Sequence, residues 1–174
     1  PWFGEREREL LLQPLESGWV VQGPFVKQFQ ERIAEFTGLR HAVAVNSCTS
    51  GQFLLSRIIG LQEGDEVIVP AFTWVSTANS VEYLGARAVF ADIDLHTFNL
   101  DPAQAESRLS ASTKALYPVH LFGLCAPMPE LAALAAGHGL TVMEDCACGL
   151  GARIGERHCG SWGRGGVLSF HPRK

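Results

Sequence analysis

The last nine residues of this chain of 174, Gly166 to Lys174, gather three groups that can do chemistry: the Ser169 hydroxyl, the His171 imidazole and the Lys174 amine. The run Gly166–Phe170 reads as a strand, and Pro172 stiffens the turn that follows it. A strand that ends in Ser-x-His-Pro-x-Lys can hold an anion with its hydroxyl and set an amine just beyond it. A covalent aldehyde cofactor bearing a phosphate needs both groups. The same residues also read as a strand followed by an exposed basic tail.

Four other stretches carry reactive groups. Asn46-Ser47-Cys48-Thr49-Ser50-Gly51 is a hydroxyl-rich turn leading into a helix. Free backbone N–H groups and the helix dipole favour an anion there, with Thr49 and Ser50 as O–H donors, although plain helix capping needs the same residues. Pro70-Ala71-Phe72-Thr73-Trp74 places an indole where it can lie on a flat ring or pack under a loop. His120, in Pro118-Val119-His120-Leu121-Phe122-Gly123, is a ligand, acid or base, or a hydrogen-bonded core histidine. Glu144 and Asp145 follow Leu-Thr-Val-Met. A carboxylate pressed against a sheet end needs a cationic partner, such as a protonated pyridine nitrogen, or a network of donors.

Two patterns are discounted. Gly149-Leu150-Gly151-Ala152-Arg153-Ile154-Gly155 lacks the Gly-x-Gly-x-x-Gly spacing of a dinucleotide loop, which sets aside a dinucleotide oxidoreductase. Cys146, Cys148, His158 and Cys159 could be drawn as a zinc set, but Cys-x-Cys is unlike the usual zinc knuckle, and no metal is expected.

The elements that must position these groups alternate. Residues 4–16 read as a helix stopped by Gly18. Gly23-Pro24 opens a second helix whose Phe25, Phe29, Ile33 and Phe36 form one buried stripe, closed by Gly38. Strands are expected at His41–Val45, Glu66–Val69, Ala88–Ile93, Ala115–Val119, Leu140–Met143 and Gly166–Phe170. Helices are expected at Ser50–Ile59, Val75–Leu84, Pro102–Leu109 and Pro129–Ala136. Such alternation predicts an α/β fold, a mostly parallel sheet with helices on both faces. Ligands of such sheets sit at the carboxyl ends of the strands, where the groups above fall.

Composition narrows the function classes. The chain is 47% hydrophobic and 18% charged, with net charge -4 and no basic face, so nucleic acid is not an expected partner. No apolar stretch reaches membrane-spanning length. Five cysteines without a disulfide-like arrangement point to a reducing, cytoplasmic setting.

Phosphate turn, aromatic plate, strand-end acid, serine and lysine together match pyridoxal 5′-phosphate (PLP). In this order the motifs resemble the DegT/StrS-type sugar aminotransferases, PLP enzymes of the aspartate-aminotransferase fold (fold type I). The resemblance runs from Phe3 to Lys174 and includes Ser17-Gly18-Trp19, Gln22-Gly23-Pro24, the Asn46–Ser50 turn, Gly64–Trp74, Pro118–Gly123, Glu144-Asp145 and Ser169–Lys174. It implies that Thr49 and Ser50 hold the phosphate with Ser169, that Trp74 stacks on the ring, that Asp145 pairs with the ring nitrogen, and that Lys174 binds the aldehyde covalently. Cys48 stands where the family often has Gly. Cys148 stands where a Gln or His commonly contacts the ring hydroxyl, and a thiol is a weaker donor. The resemblance further implies transfer of an amino group from an amino acid, glutamate, to a nucleotide-linked keto sugar, by a homodimer. Related dehydratases carry histidine in place of the lysine, so Lys174 argues for transamination. A binding or regulatory module on the same fold is the alternative.

Family members are about twice as long, and this chain starts on Pro1 and stops on the cofactor lysine. Residues 1–174 are therefore expected to be the N-terminal part of the PLP-binding large domain, an incomplete large domain that is inactive by itself.

Overall fold

Val67, Ile68 and Val69 form a β-branched run with no polar alternation, which suits a strand covered on both faces. In the computed structural model, which describes residues 2–174, the run is the centre of β1 (Glu66–Pro70), buried throughout. The other strands are β2 (Arg87–Ala91), β3 (Thr113–Leu116), β4 (Thr141–Cys146), β5 (Arg153–Ile154), β6 (Arg157–His158) and β7 (Gly165–Leu168). Five of them make one parallel sheet in the order β2-β1-β3-β4-β7, and β5 and β6 make a small antiparallel hairpin.

The helices are α1 (Glu5–Ser17), α2 (Pro24–Thr37), α3 (Cys48–Ile58), α4 (Ser76–Glu82), α5 (Pro102–Ser107) and α6 (Met128–His138). Pro at the first position suits α2 and α5, whose φ is preset there. Asp101 caps α5, its Oδ1 accepting from the Gln104 N–H at 2.9 Å. Gly18 and Gly38 end α1 and α2 in the left-handed conformation, with φ of 70° and 73°.

Residues 2–44 with 171–173 form one compact unit, and residues 45–170 with Lys174 form another. The second holds the sheet and a core on each of its faces. Ile68, Leu116 and Val142 pack with Leu100, Ala105, Met128, Leu131 and Ala135 of the α5–α6 side. Val67, Val69, Ala115, Tyr117 and Met143 pack with Leu61, Ala78 and Val81, and with Leu55 of α3. Successive strand residues thus serve opposite cores, each fully buried side chain contributing roughly 1.5–3 kcal/mol. None of the helices is long and apolar enough to cross a membrane among the described residues.

The parallel sheet with helices on both faces agrees with the expectation from sequence. Three details differ. His41–Val45 is extended but pairs with no strand among the described residues: His41, Val43 and Val45 are exposed, and the Ala44 N–H donates to Gln30 Oε1 at 2.8 Å instead of to a neighbouring strand. The stripe on α2 is only half buried: Phe25 and Ile33 are partly covered, while Phe29 is 39% and Phe36 49% exposed. β4 runs on to Cys146, so Glu144 and Asp145 lie in the strand and not after it. Backbone pairing with β7 outweighs the low strand propensity of the two acids.

Candidate active site

Strand pairing fixes Asp145 first. Its N–H donates to the Pro118 carbonyl at 2.9 Å, its carbonyl accepts from the His120 N–H at 2.9 Å, and it stands opposite Val167 of β7. Neighbouring strand residues point to opposite faces, so Asp145 and Glu144 separate.

Glu144 turns towards a loop. Its Oε1 accepts from the Trp162 and Gly163 N–H groups at 2.7 and 2.8 Å, and its Oε2 from the Gly160 N–H at 2.6 Å. His120 Nδ1 accepts from the Ala126 N–H at 3.0 Å, which places the ring proton on Nε2, 3.0 Å from Glu144 Oε2. Both residues are fully buried. Of the readings open for His120, the structure selects the hydrogen-bonded core histidine, and Glu144 organises the loop around it.

Asp145 turns towards α3 and α4. Oδ2 accepts from Thr77 Oγ1 at 2.7 Å and from Gln52 Nε2 at 2.5 Å, and Oδ1 accepts from the Ala147 N–H at 3.0 Å. The residue is 2% exposed. Burial pushes its pKa above that of an ordinary aspartate, while Thr77, the Ala147 N–H, His120 and Lys174 pull it back.

Lys174 Nζ lies 3.4 Å from Cys148 Sγ. Its charge acts on Asp145 and also on Cys48, whose thiol burial pushes up to about 12, with Asp145 adding to the rise and Lys174 opposing it. Cys48, Asp145, Cys148 and Lys174 therefore share one electrostatic neighbourhood. Cys48 opens α3, with Ser47 as its cap: Ser47 Oγ accepts from the Ser50 N–H at 3.1 Å and lies 3.0 Å from Ser50 Oγ. Thr49 is exposed on the first turn, where the Cys48 and Thr49 N–H groups have no intrahelical partner.

Trp74 is 73% exposed in the loop between β1 and α4. Its carbonyl accepts from the N–H of Thr77, at 3.1 Å, so it precedes the turn that holds Asp145. Ser169 follows Leu168, which pairs with Cys146 at the end of β4. Trp74 and Ser169 are thus placed at this sheet end by the chain. Sequence reasoning gave no role to Gln52 or Thr77. Both sit inside helices, where Gln and Thr carry no signal, and only the tertiary contact to Asp145 identifies them.

Of the four residues drawn as a zinc set, Cys146 and Cys159 come together, and Cys148 and His158 do not join them. Cys148 lies by Lys174, and His158 Nε2 accepts from the Gly151 N–H at 2.9 Å. Among the described residues, His120, Cys146 and Cys159 bring potential ligand atoms within 4.8 Å of one another. Both His120 nitrogens are already engaged, and the Cys159 thiol donates to the Gly149 carbonyl at 2.7 Å. This is a packed thiol cluster. Gly149 makes room for it, since a Cβ there would stand 2.5 Å from Cys159 Sγ.

With this geometry in place, comparison with known proteins gives a consistent result. The model of the DegT/DnrJ/EryC1/StrS aminotransferase family matches residues 2–174. The spore coat polysaccharide biosynthesis protein SpsC of Bacillus subtilis (strain 168) is 43% identical over 174 residues, covering 100% of this chain and 45% of that protein. The GDP-perosamine synthase of Caulobacter vibrioides is 38% identical over 175 residues, covering 100% of this chain and 47% of that protein. The PLP form of the putative sugar aminotransferase Spr1654 from Streptococcus pneumoniae superposes with a TM-score of 0.93 at 28% identity, over 98% of this chain and 47% of that one. The chain spans about half the length of the relatives it matches.

Proposed function

The chain belongs to the DegT/DnrJ/EryC1/StrS aminotransferase family, and on that premise we propose that its sheet-end site holds PLP and serves transfer of an amino group from glutamate to a nucleotide-linked keto sugar. The observation that carries this reading is the shared neighbourhood of Lys174 and the buried Asp145. Asp145 Oδ1 has one donor and keeps an acceptor site, which fits a protonated ring nitrogen. The exposed first turn of α3 fits a phosphate, and the amine of Lys174 fits an aldehyde.

When bound, PLP supplies an electron sink for charge developing on the carbon next to nitrogen. The residues of the chain then have separate tasks. The carboxylate of Asp145 would hold the proton on the ring nitrogen. The N–H groups of Cys48 and Thr49, and the hydroxyls of Thr49, Ser50 and Ser169, would bind the phosphate. Trp74 would cover the ring and keep water from it. Cys148 would serve the ring hydroxyl. Lys174 Nζ would anchor the aldehyde and, once an amino donor releases it, would move the proton from the donor's α-carbon to the cofactor carbon that bore the aldehyde; with the keto sugar the same amine would run that transfer in reverse.

In the same reading, residues 1–174 are the N-terminal part of a PLP-binding large domain in a cytoplasmic homodimer. The exposed rings of Phe72, Phe98 and Phe122, with successive centroids 5.5 and 6.2 Å apart, form an apolar patch that a second subunit would cover. A binding module on the same fold has no use for the lysine. Titrating the protein with PLP separates the two readings: visible absorbance that disappears in Lys174→Ala is expected, and binding with no such absorbance in either protein contradicts the proposal.

A further inference from the structure

Two side chains meet one oxygen of Asp145. Oδ2 accepts from both Thr77 and Gln52, whereas Oδ1 accepts only from the Ala147 N–H. A carboxylate oxygen offers about two acceptor sites, so Oδ2 is filled and Oδ1 keeps one open. Gln52 reaches Asp145 from α3 across 93 positions of sequence and is 1% exposed. Its own Oε1 is buried without a hydrogen-bond partner. An unsatisfied buried amide oxygen is unfavourable, and a Leu or Met of similar volume would fill this place without it. The amide is therefore not explained by packing.

We propose that Gln52 is a positioning residue for Asp145: with Thr77 it occupies Oδ2, so that Oδ1 alone faces the ring nitrogen of the cofactor, and it keeps the buried carboxylate ionised. The Thr77 hydroxyl and the Ala147 N–H counter the burial that raises Asp145, and the Gln52 amide is a further donor to the same carboxyl; donors to the charged form favour that form. The part concerning the cofactor rests on the function proposed above, while the part concerning ionisation stands without it.

The test uses Gln52→Met, unbranched and of equal length, with Gln52→Leu as a second variant should the first fold poorly. The protein is labelled with carboxyl-13C aspartate, the Asp145 signal is assigned by its loss in Asp145→Asn, and its chemical shift is followed against pH without cofactor. The midpoint of Asp145 is expected to rise by about one pH unit in the variant, and PLP affinity at neutral pH to fall roughly tenfold. A merely structural glutamine would lower the melting temperature and leave the midpoint in place, and an unmoved midpoint overturns the proposal. A raised midpoint with unchanged PLP affinity upholds the ionisation part and overturns the assignment of Oδ1 to the ring nitrogen.

Discussion

Asp145 is a carboxylate held where its charge is disfavoured. Burial raises its pKa above the ordinary aspartate range, and the donors around it only partly offset the rise. A carboxyl whose folded pKa exceeds its unfolded one binds its proton more tightly in the folded state. The stability it contributes is present below the unfolded pKa and is lost as pH rises through the folded one. Asp145→Asn removes that loss. Its melting temperature is expected to exceed that of the native sequence at neutral pH, with the difference closing as pH falls through the aspartate range, and PLP is expected no longer to stabilise it. Thermal scans across pH, with and without PLP, check both outcomes; a variant less stable at neutral pH contradicts the account. Asp145, Lys174 and the Thr49–Ser50 turn could be singled out in sequence because their residue types follow one another in the order of a known family. Gln52 was not, because a glutamine inside a helix reads as an ordinary helix former and its partner lies 93 residues away.

β4 shows how one element divides two acids between two tasks. The two carboxyls looked alike in sequence, as residues after a strand. Their placement inside the strand sends Glu144 to the 160–163 loop and Asp145 to α3 and α4. The stretch that resembled a dinucleotide loop, 149–155, runs into the β5–β6 hairpin, and the 160–163 loop that wraps Glu144 follows it. The glycines of both segments were visible, but their purpose was not. A Cβ at Gly163 would strike the Val142 carbonyl, and one at Gly149 would strike Cys159. Glu144→Ala would leave His120 and three backbone N–H groups without their acceptor in a buried place. A loss of about 3 kcal/mol or more is expected in denaturant unfolding. A change under about 0.5 kcal/mol would mean that the loop does not depend on the carboxylate.

At the scale of the molecule, the parallel sheet followed from repeated strand-helix alternation, and its two apolar cores confirm helices on both faces. The strand expected at His41–Val45 failed because an apolar run specifies an extended chain but not a hydrogen-bonding neighbour. The α2 stripe is only half buried, because periodicity gives a face and not its depth. The central claim is that this sheet gathers its strand ends around PLP attached to Lys174. The chain has three lysines, Lys27, Lys114 and Lys174. The most direct measurement is to incubate the protein with PLP, reduce with borohydride, and locate the pyridoxyl group by peptide mass spectrometry. The account predicts one label, on Lys174; a label on Lys27 or Lys114 with none on Lys174 would contradict it.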